Sequence, residues 1–206
     1  MSGKSQDDIL IGNQVDKANV KNPIGRWLVE GFDRALFELI AMASPTSVHE
    51  VGCGEGRLAR LIQVKLGVPF RASDFSTELC AENQRLGPGG IEFVCRSIYD
   101  LDPAEDRADL VLCCEVLEHL EEPERGLRAL RALGARSYIL SVPNEPLWRV
   151  LNCARCQYLA QLGNTPGHLN HWSPPGFRRL LEKNGFVLRA RRQPLPWTMV
   201  YGSFAP

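Results

Sequence analysis

Three features of this 206-residue sequence predict an α/β protein, a mostly parallel sheet with helices on both faces. Short apolar runs alternate with segments of helical period between Val48 and Val142, as successive βα units do. A glycine-rich turn, Gly52-Cys53-Gly54-Glu55-Gly56, joins the first apolar run to a helical segment. The run Asp109–Cys114 is continuously apolar after its first residue, as expected of a parallel strand covered on both sides.

Leu28, Phe32, Ala35, Leu36 and Leu39 recur at helical spacing between Arg26 and Met42, so the first helix is amphipathic and must cover a partner surface. Strands are expected at Val48–Val51, Pro69–Ser73, Ile91–Cys95, Asp109–Cys114 and Tyr138–Val142, with helices at Glu55–Leu66, Thr77–Leu86 and Glu121–Leu133. The Gly-Pro-Gly-Gly run at 87–90 supplies the turn into the third strand. After the fifth strand the rhythm changes. Pro143-Asn144-Glu145-Pro146 leads into a helical stretch, Leu147–Leu162, and then a polar loop, Gly163–Ser173, so the region at about 144–173 is an inserted helical cap. A last helix, Pro174–Asn184, stops at Gly185. Two final strands follow, Phe186–Arg191 and Thr198–Phe204, and their short Pro-rich connection favours an antiparallel hairpin. Residues 1–20 carry no sustained apolar period and are expected to be a mobile leader to one domain, 21–206.

Composition narrows the partners. Hydrophobic residues make up 44% and charged residues 23%, the balance of a soluble globular protein. Lys plus Arg and Asp plus Glu number 24 each, so no basic field recruits nucleic acid. The start of the chain lacks the apolar core of a signal peptide, and no apolar run approaches the roughly 18 residues that span a bilayer. Seven cysteines, several in apolar contexts, fit reduced thiols and a cytoplasmic location.

The glycine turn is where chemistry concentrates. Glycines allow a tight turn and close ligand approach, and the helix N-terminus behind them offers free amide donors. A dinucleotide fingerprint would place its third glycine at Arg57, one position later than Gly56, so a nicotinamide or flavin site fits poorly. Glu50, just before the turn, is placed to accept hydrogen bonds from a ligand ammonium. Asp74, at the end of the second strand, is placed to hold two ribose hydroxyls. Phe75 can rest on an adenine, or simply pack, and Ser97 and Ile98 can hold its edge.

The runs His49–Arg57, Ala72–Ser76 and Cys113–Leu120 together resemble the class I S-adenosylmethionine-dependent methyltransferase superfamily. The resemblance implies S-adenosylmethionine as cofactor and a Rossmann-like, seven-stranded sheet of order 3-2-1-4-5-7-6 with the seventh strand antiparallel. It also implies that Gly52, Cys53 and Gly54 underlie the cofactor and that Cys114 and Glu115 pass beneath its methionine end. The pattern is nearer still to the ubiquinone-biosynthesis O-methyltransferases of the methyltransferase type 11/12 group. Their Asn-Pro-Leu-Arg segment is similar to Asn22-Pro23-Ile24-Gly25-Arg26, which makes Arg26 a candidate for the cofactor carboxylate. A solvent-facing arginine at a helix start is the alternative.

Methyl transfer from a sulfonium requires alignment of the acceptor, exclusion of water and, for a hydroxyl, removal of a proton. His119, His168 and His171 are the candidate bases, and the resemblance matches His168 best; all three can equally be structural. Cys153-x-x-Cys156 followed by His168-x-x-His171 approaches a zinc-site spacing, but the histidine half is short, and no metal is expected. The cap mixes Trp148, Val150, Leu151, Tyr158 and Leu159 with Arg149 and Arg155, which suits a plain lid, an apolar acceptor pocket or a peripheral membrane contact. The expectation is a methyltransferase for a small-molecule acceptor, with oxygen the favoured atom. N-, S- or C-methylation of a metabolite or lipid-like substrate, methylation of protein or RNA, and a non-enzymatic scaffold are the alternatives. The sequence leaves the oligomeric state open.

Overall fold

The computed structural model describes residues 23–87, 89–154, 158 and 161–205. The leader expected at 1–20, and Arg155, Cys156 and Leu159 of the cap, lie outside the described residues. Seven strands form one sheet: β1 (Val48–Val51), β2 (Phe70–Asp74), β3 (Ile91–Cys95), β4 (Leu110–Cys114), β5 (Ser137–Pro143), β6 (Phe186–Arg192) and β7 (Trp197–Phe204). Their order is β3-β2-β1-β4-β5-β7-β6, as expected, and β7 runs antiparallel to both of its neighbours.

Side-chain alternation in the central strands builds two cores. Leu110, Leu112 and Cys114 of β4 face α1 (Pro23–Ala43) and α2 (Arg57–Leu66), where Phe32, Leu36, Leu39, Ala59 and Ile62 are buried. Val111 and Cys113 point the other way, toward Leu127 and Leu130 of α4 (Pro123–Ala132) and Phe177 and Leu181 of α6 (Pro174–Lys183). Both faces of β4 are therefore dry, which is why its sequence shows no polar alternation. α3 (Thr77–Leu86) packs on β2 and β3, and α5 (Leu147–Ala154) begins the cap. At the hairpin, a side chain at Gly202 would collide with the Val187 carbonyl and the Phe186 ring, so only glycine lets β6 and β7 close.

Several boundaries move for local reasons. α1 starts at Pro23, whose fixed φ suits a first helical turn. α2 starts at Arg57 because Gly56 adopts a left-handed conformation, φ 71°. The helix expected over Leu147–Leu162 is described only to Ala154, and Tyr158 and Leu162 have φ values of 53° and 50°, which a right-handed helix excludes. Single 3-10 turns at Ile98–Asp100 and Leu117–His119 are too short to leave a periodic signal. No helix among the described residues is long and apolar enough to cross a membrane.

His49 is fully buried in β1, its Nδ1 donating to the Asp106 carbonyl at 2.7 Å and its Nε2 accepting from the Ser73 hydroxyl at 2.9 Å. Burial lowers its pKa, so the folded state holds the neutral ring. The unfolded chain binds more protons, so this contribution is complete above the ordinary histidine range near 6.5 and is lost as pH falls through the lower folded value. Urea midpoints measured from pH 8 to pH 5 should fall less steeply for His49→Asn than for the wild type; equal slopes would reject this role.

Candidate cofactor and acceptor site

β1 and β4 are neighbours, and the loops leaving their C-terminal ends define a crevice, the usual ligand position in an open α/β sheet. On the β1 side the chain turns at Gly52, Gly54 and Gly56, with φ values of 76°, 52° and 71°. The Gly52 and Cys53 amides donate to the Ser73 carbonyl at 2.7 and 2.9 Å, tying the turn to β2. A side chain at Gly52 would strike Val116, and one at Gly56 would meet Arg60 and Asn83 at 2.8 Å. At Gly54 a side chain would meet nothing within 4 Å, so this backbone borders open space.

Two carboxylates frame that space. The Asp74 Oδ2 accepts from the Gly54 amide at 2.8 Å and its Oδ1 from the Ser76 amide at 3.0 Å, so β2 holds the turn while Ser76 caps α3. Glu50 is 3% exposed, and its Oε2 has no hydrogen-bond partner among the described residues. Burial pushes its carboxyl up to about 8, with the Arg57 guanidinium opposing the rise. Arg57 makes a two-bond fork to Asp33 of α1 at 2.7 and 2.9 Å, which fastens the first helix to the start of α2. Asn83 donates to the Gly54 carbonyl at 2.7 Å and accepts from Arg60 at 2.8 Å.

Beyond this core the predicted residues divide. Phe75 is 43% exposed, while Ser97 caps the 3-10 turn in which Ile98 is buried. Cys53 and Cys114 are buried in the core, and Arg26 lies exposed in the first turn of α1. Glu115 has φ 61°; its Oε1 accepts from Ser141 at 3.0 Å and its Oε2 from the Trp197 indole at 2.6 Å, so its side chain ties the end of β4 to β5 and β7.

On the β4 side, the turn Leu117–His119 receives the loop that follows the cap. The Leu169 and Asn170 amides donate to the Glu118 carbonyl at 2.9 and 3.0 Å, and the Asn170 side chain donates to the Leu120 carbonyl at 2.6 Å. The loop is in turn sewn to α5 by Trp148 to Thr165 at 2.9 Å and Asn152 to the Gly163 carbonyl at 2.9 Å. These bonds bring His168 onto His119, ring centroids 4.9 Å apart and edge to face, and the Trp148 ring centroid is 6.0 Å from that of His168. His119 donates through Nδ1 to the Gly167 carbonyl at 2.9 Å, which leaves the lone pair of the neutral ring on Nε2, 4.0 Å from Glu118 Oε1. Ligand atoms of Glu118, His119 and His168 all lie within 4.8 Å of one another. His171 stands apart, bonded through Nε2 to the Asn164 amide oxygen at 2.6 Å, and burial lowers its pKa.

The methyltransferase domain family matches residues 28–190. The chain belongs to that family. A ubiquinone biosynthesis O-methyltransferase of Coxiella burnetii (strain RSA 331 / Henzerling II) is 27% identical over 157 residues, 67% of this chain and 65% of that protein. Another, from Xanthomonas euvesicatoria pv. vesicatoria (strain 85-10), is 30% identical over 122 residues, 56% of this chain and 51% of that protein. The match therefore spans just under two thirds of the Coxiella relative and about half of the Xanthomonas one. Among solved structures, magnesium protoporphyrin IX methyltransferase from Synechocystis PCC 6803 with bound SAH superposes with a TM-score of 0.65 at 20% identity, over 89% of this chain and 88% of that one. That likeness concerns the fold.

In this methyltransferase domain the residues present suit the family's nucleoside cofactor: the backbone at Gly54 borders open space, and the buried Glu50 carboxyl has an oxygen with no hydrogen-bond partner among the described residues. Sequence reasoning missed Asp33, Arg57, Arg60 and Asn83, whose roles depend on contacts between helices. Glu118 lies inside the run Cys113–Leu120, but its place beside His168 depends on the distant loop and leaves no signal in the sequence.

Proposed function

We propose that this domain binds S-adenosylmethionine over the ends of β1, β2 and β4 and methylates an oxygen of a small hydroxylated acceptor held beneath the cap. The observation that carries the cofactor reading is the Glu50 Oε2, buried with no hydrogen-bond partner among the described residues, together with the open Gly54 backbone. A buried carboxylate oxygen is costly unless something completes it, and the cofactor's ammonium is the matching group. Asp74 spends one bond per oxygen on backbone amides, so its remaining lone pairs suit two ribose hydroxyls. Gly52, Cys53 and Gly54 supply close backbone approach, Phe75, Ser97 and Ile98 the adenine surface, Cys114 and Glu115 the floor, and Arg26 the carboxylate contact. When bound, S-adenosylmethionine supplies a methyl group already activated on sulfur.

The acceptor side rests on His119 and His168, which the loop bonds place in one cluster above β4. His119, with its lone pair on Nε2, suits removal of a hydroxyl proton, and His168 with the half-buried Trp148 supplies aromatic surface that suits a ring-shaped acceptor. His171, bonded to Asn164, has the role of holding the loop. A second reading is favoured by the trio Glu118, His119 and His168, a carboxylate and two imidazoles that suit a divalent cation. Such an ion would lower the pKa of an acceptor hydroxyl without a dedicated base. The small-molecule assignment is supported by the cap, whose Trp148 packs against His168 of the cluster, and by the neutral charge balance.

Binding of an ammonium against Glu50 must ionise a carboxyl that burial holds near 8. At pH 6.5, calorimetry in buffers of different ionisation enthalpy should show close to one proton released per S-adenosylmethionine bound, and Glu50→Gln should abolish that release. Binding without proton release would remove Glu50 from the ammonium contact.

A further inference from the structure

Cys80, in the first turn of α3, and Cys95, the last residue of β3, meet beside the strand end that carries Asp74. The Cys80 thiol donates to the Asp74 carbonyl at 3.3 Å and lies 3.5 Å from the Val94 carbonyl. The thiol of Cys95, the residue paired across the strands with Asp74, donates to the Phe75 carbonyl at 3.6 Å, and Cys95 is near enough to Cys80 to add to the rise of its pKa. The pair thus grips the consecutive carbonyls of the residues assigned to ribose and adenine. Burial pushes the Cys80 thiol up to about 12, so it rests protonated. Cys95 is exposed, whereas Cys53, Cys113 and Cys114 are buried.

We propose that Cys80 and Cys95 are a reversible oxidative modification site, a dithiol that hydrogen peroxide converts to a disulfide at the adenosine end of the crevice. Cys95, the accessible sulfur, attacks one peroxide oxygen; the O–O bond breaks, water leaves, and Cys95 becomes a sulfenic acid. Cys80 then attacks the Cys95 sulfur, forming the S–S bond as the S–O bond breaks, and the Cys80 thiol proton passes to the departing hydroxyl, which leaves as a second water. Two thiols give up two electrons and two protons, and one peroxide becomes two waters. The product removes the two S–H donors from the Asp74 and Phe75 carbonyls and draws the sulfurs to about 2.05 Å. The first turn of α3 must then shift against β3, and that turn begins at Ser76, whose amide bonds Asp74. Weaker S-adenosylmethionine binding follows from this shift, a consequence that rests on the function proposed above; formation of the bond does not.

The test treats the full chain with hydrogen peroxide, blocks remaining thiols with iodoacetamide, and maps unreduced peptides by mass spectrometry. The expected product is a Cys80–Cys95 linked pair, lighter by two hydrogens, that dithiothreitol reverses and Cys95→Ser abolishes. With Cys80→Ser, Cys95 should instead be trapped by dimedone as the sulfenic acid, which shows that Cys95 reacts first. Calorimetry should show S-adenosylmethionine affinity reduced at least tenfold in the oxidised wild type, restored by reductant, and insensitive to peroxide in Cys95→Ser. Cys95 recovered alkylated, or oxidised beyond the sulfenic acid with no link to Cys80, would overturn the proposal. A formed link with unchanged affinity would overturn its effect on the site. Failure of the untreated protein to bind S-adenosylmethionine would count against the proposed function alone, because the linked peptide is read by mass.

Discussion

Asp74→Ala is expected to lower S-adenosylmethionine affinity by roughly 100-fold, the effect of losing about 3 kcal/mol of charge-assisted hydrogen bonding to the ribose hydroxyls. The substitution also removes the acceptor for the Gly54 and Ser76 amides, so part of the loss would come from a relaxed turn. Asp74→Asn separates the two contributions. It keeps one acceptor oxygen and the side-chain volume but sets a donor against one of the two backbone amides and abolishes the charge, so it should melt between the wild type and Asp74→Ala with an affinity loss of roughly tenfold. Calorimetric titration of each variant makes the comparison. Affinity unchanged in both variants, against a binding wild type, would remove Asp74 from the cofactor site.

His168→Ala is expected to leave cofactor affinity within twofold of wild type while reducing kcat by about 10²- to 10⁴-fold on a phenolic acceptor, because the His168 ring packs on His119 and its loss lets the proton-accepting ring, or the cation it helps hold, leave its position. Transfer of a labelled methyl group to a panel of catechols and simple phenols provides the readout. The chelator response divides the two readings of the same cluster. If Glu118, His119 and His168 hold a cation, dialysis against EDTA should abolish transfer, added Mn²⁺ should restore it, and His168→Ala should weaken Mn²⁺ binding measured by paramagnetic resonance. If His119 acts alone as the base, EDTA should have no effect and His119→Ala should flatten the pH–rate profile. Full turnover in His168→Ala would place the acceptor elsewhere.

What the sequence discloses about this protein follows the range of the interactions involved. The sheet was legible because alternation and continuous apolar runs are local consequences of burial, and Val111 against Leu112 in β4 shows the two faces directly. The glycine turn was legible because positive φ at Gly52, Gly54 and Gly56 restricts residue type at each position. The Glu115 side chain was not, since nothing near it in the sequence announces that Trp197, at the start of β7, will bond its carboxylate. The gathering of Glu118, His119 and His168 depends on the loop folding back through Leu169 and Asn170 onto one carbonyl, a contact between distant segments that no periodicity encodes. The fork between Asp33 and Arg57 is of the same kind, a charge pair between two helices whose packing the pattern predicts but whose registration it does not.

On the function proposed above, S-adenosylmethionine occupies the crevice between the glycine turn and the β4 turn. Calorimetric titration of the reduced 206-residue chain with S-adenosylmethionine tests it most directly. Saturable binding at one site per chain is expected; absence of saturable binding by the folded, reduced protein at millimolar ligand would rule such a site out.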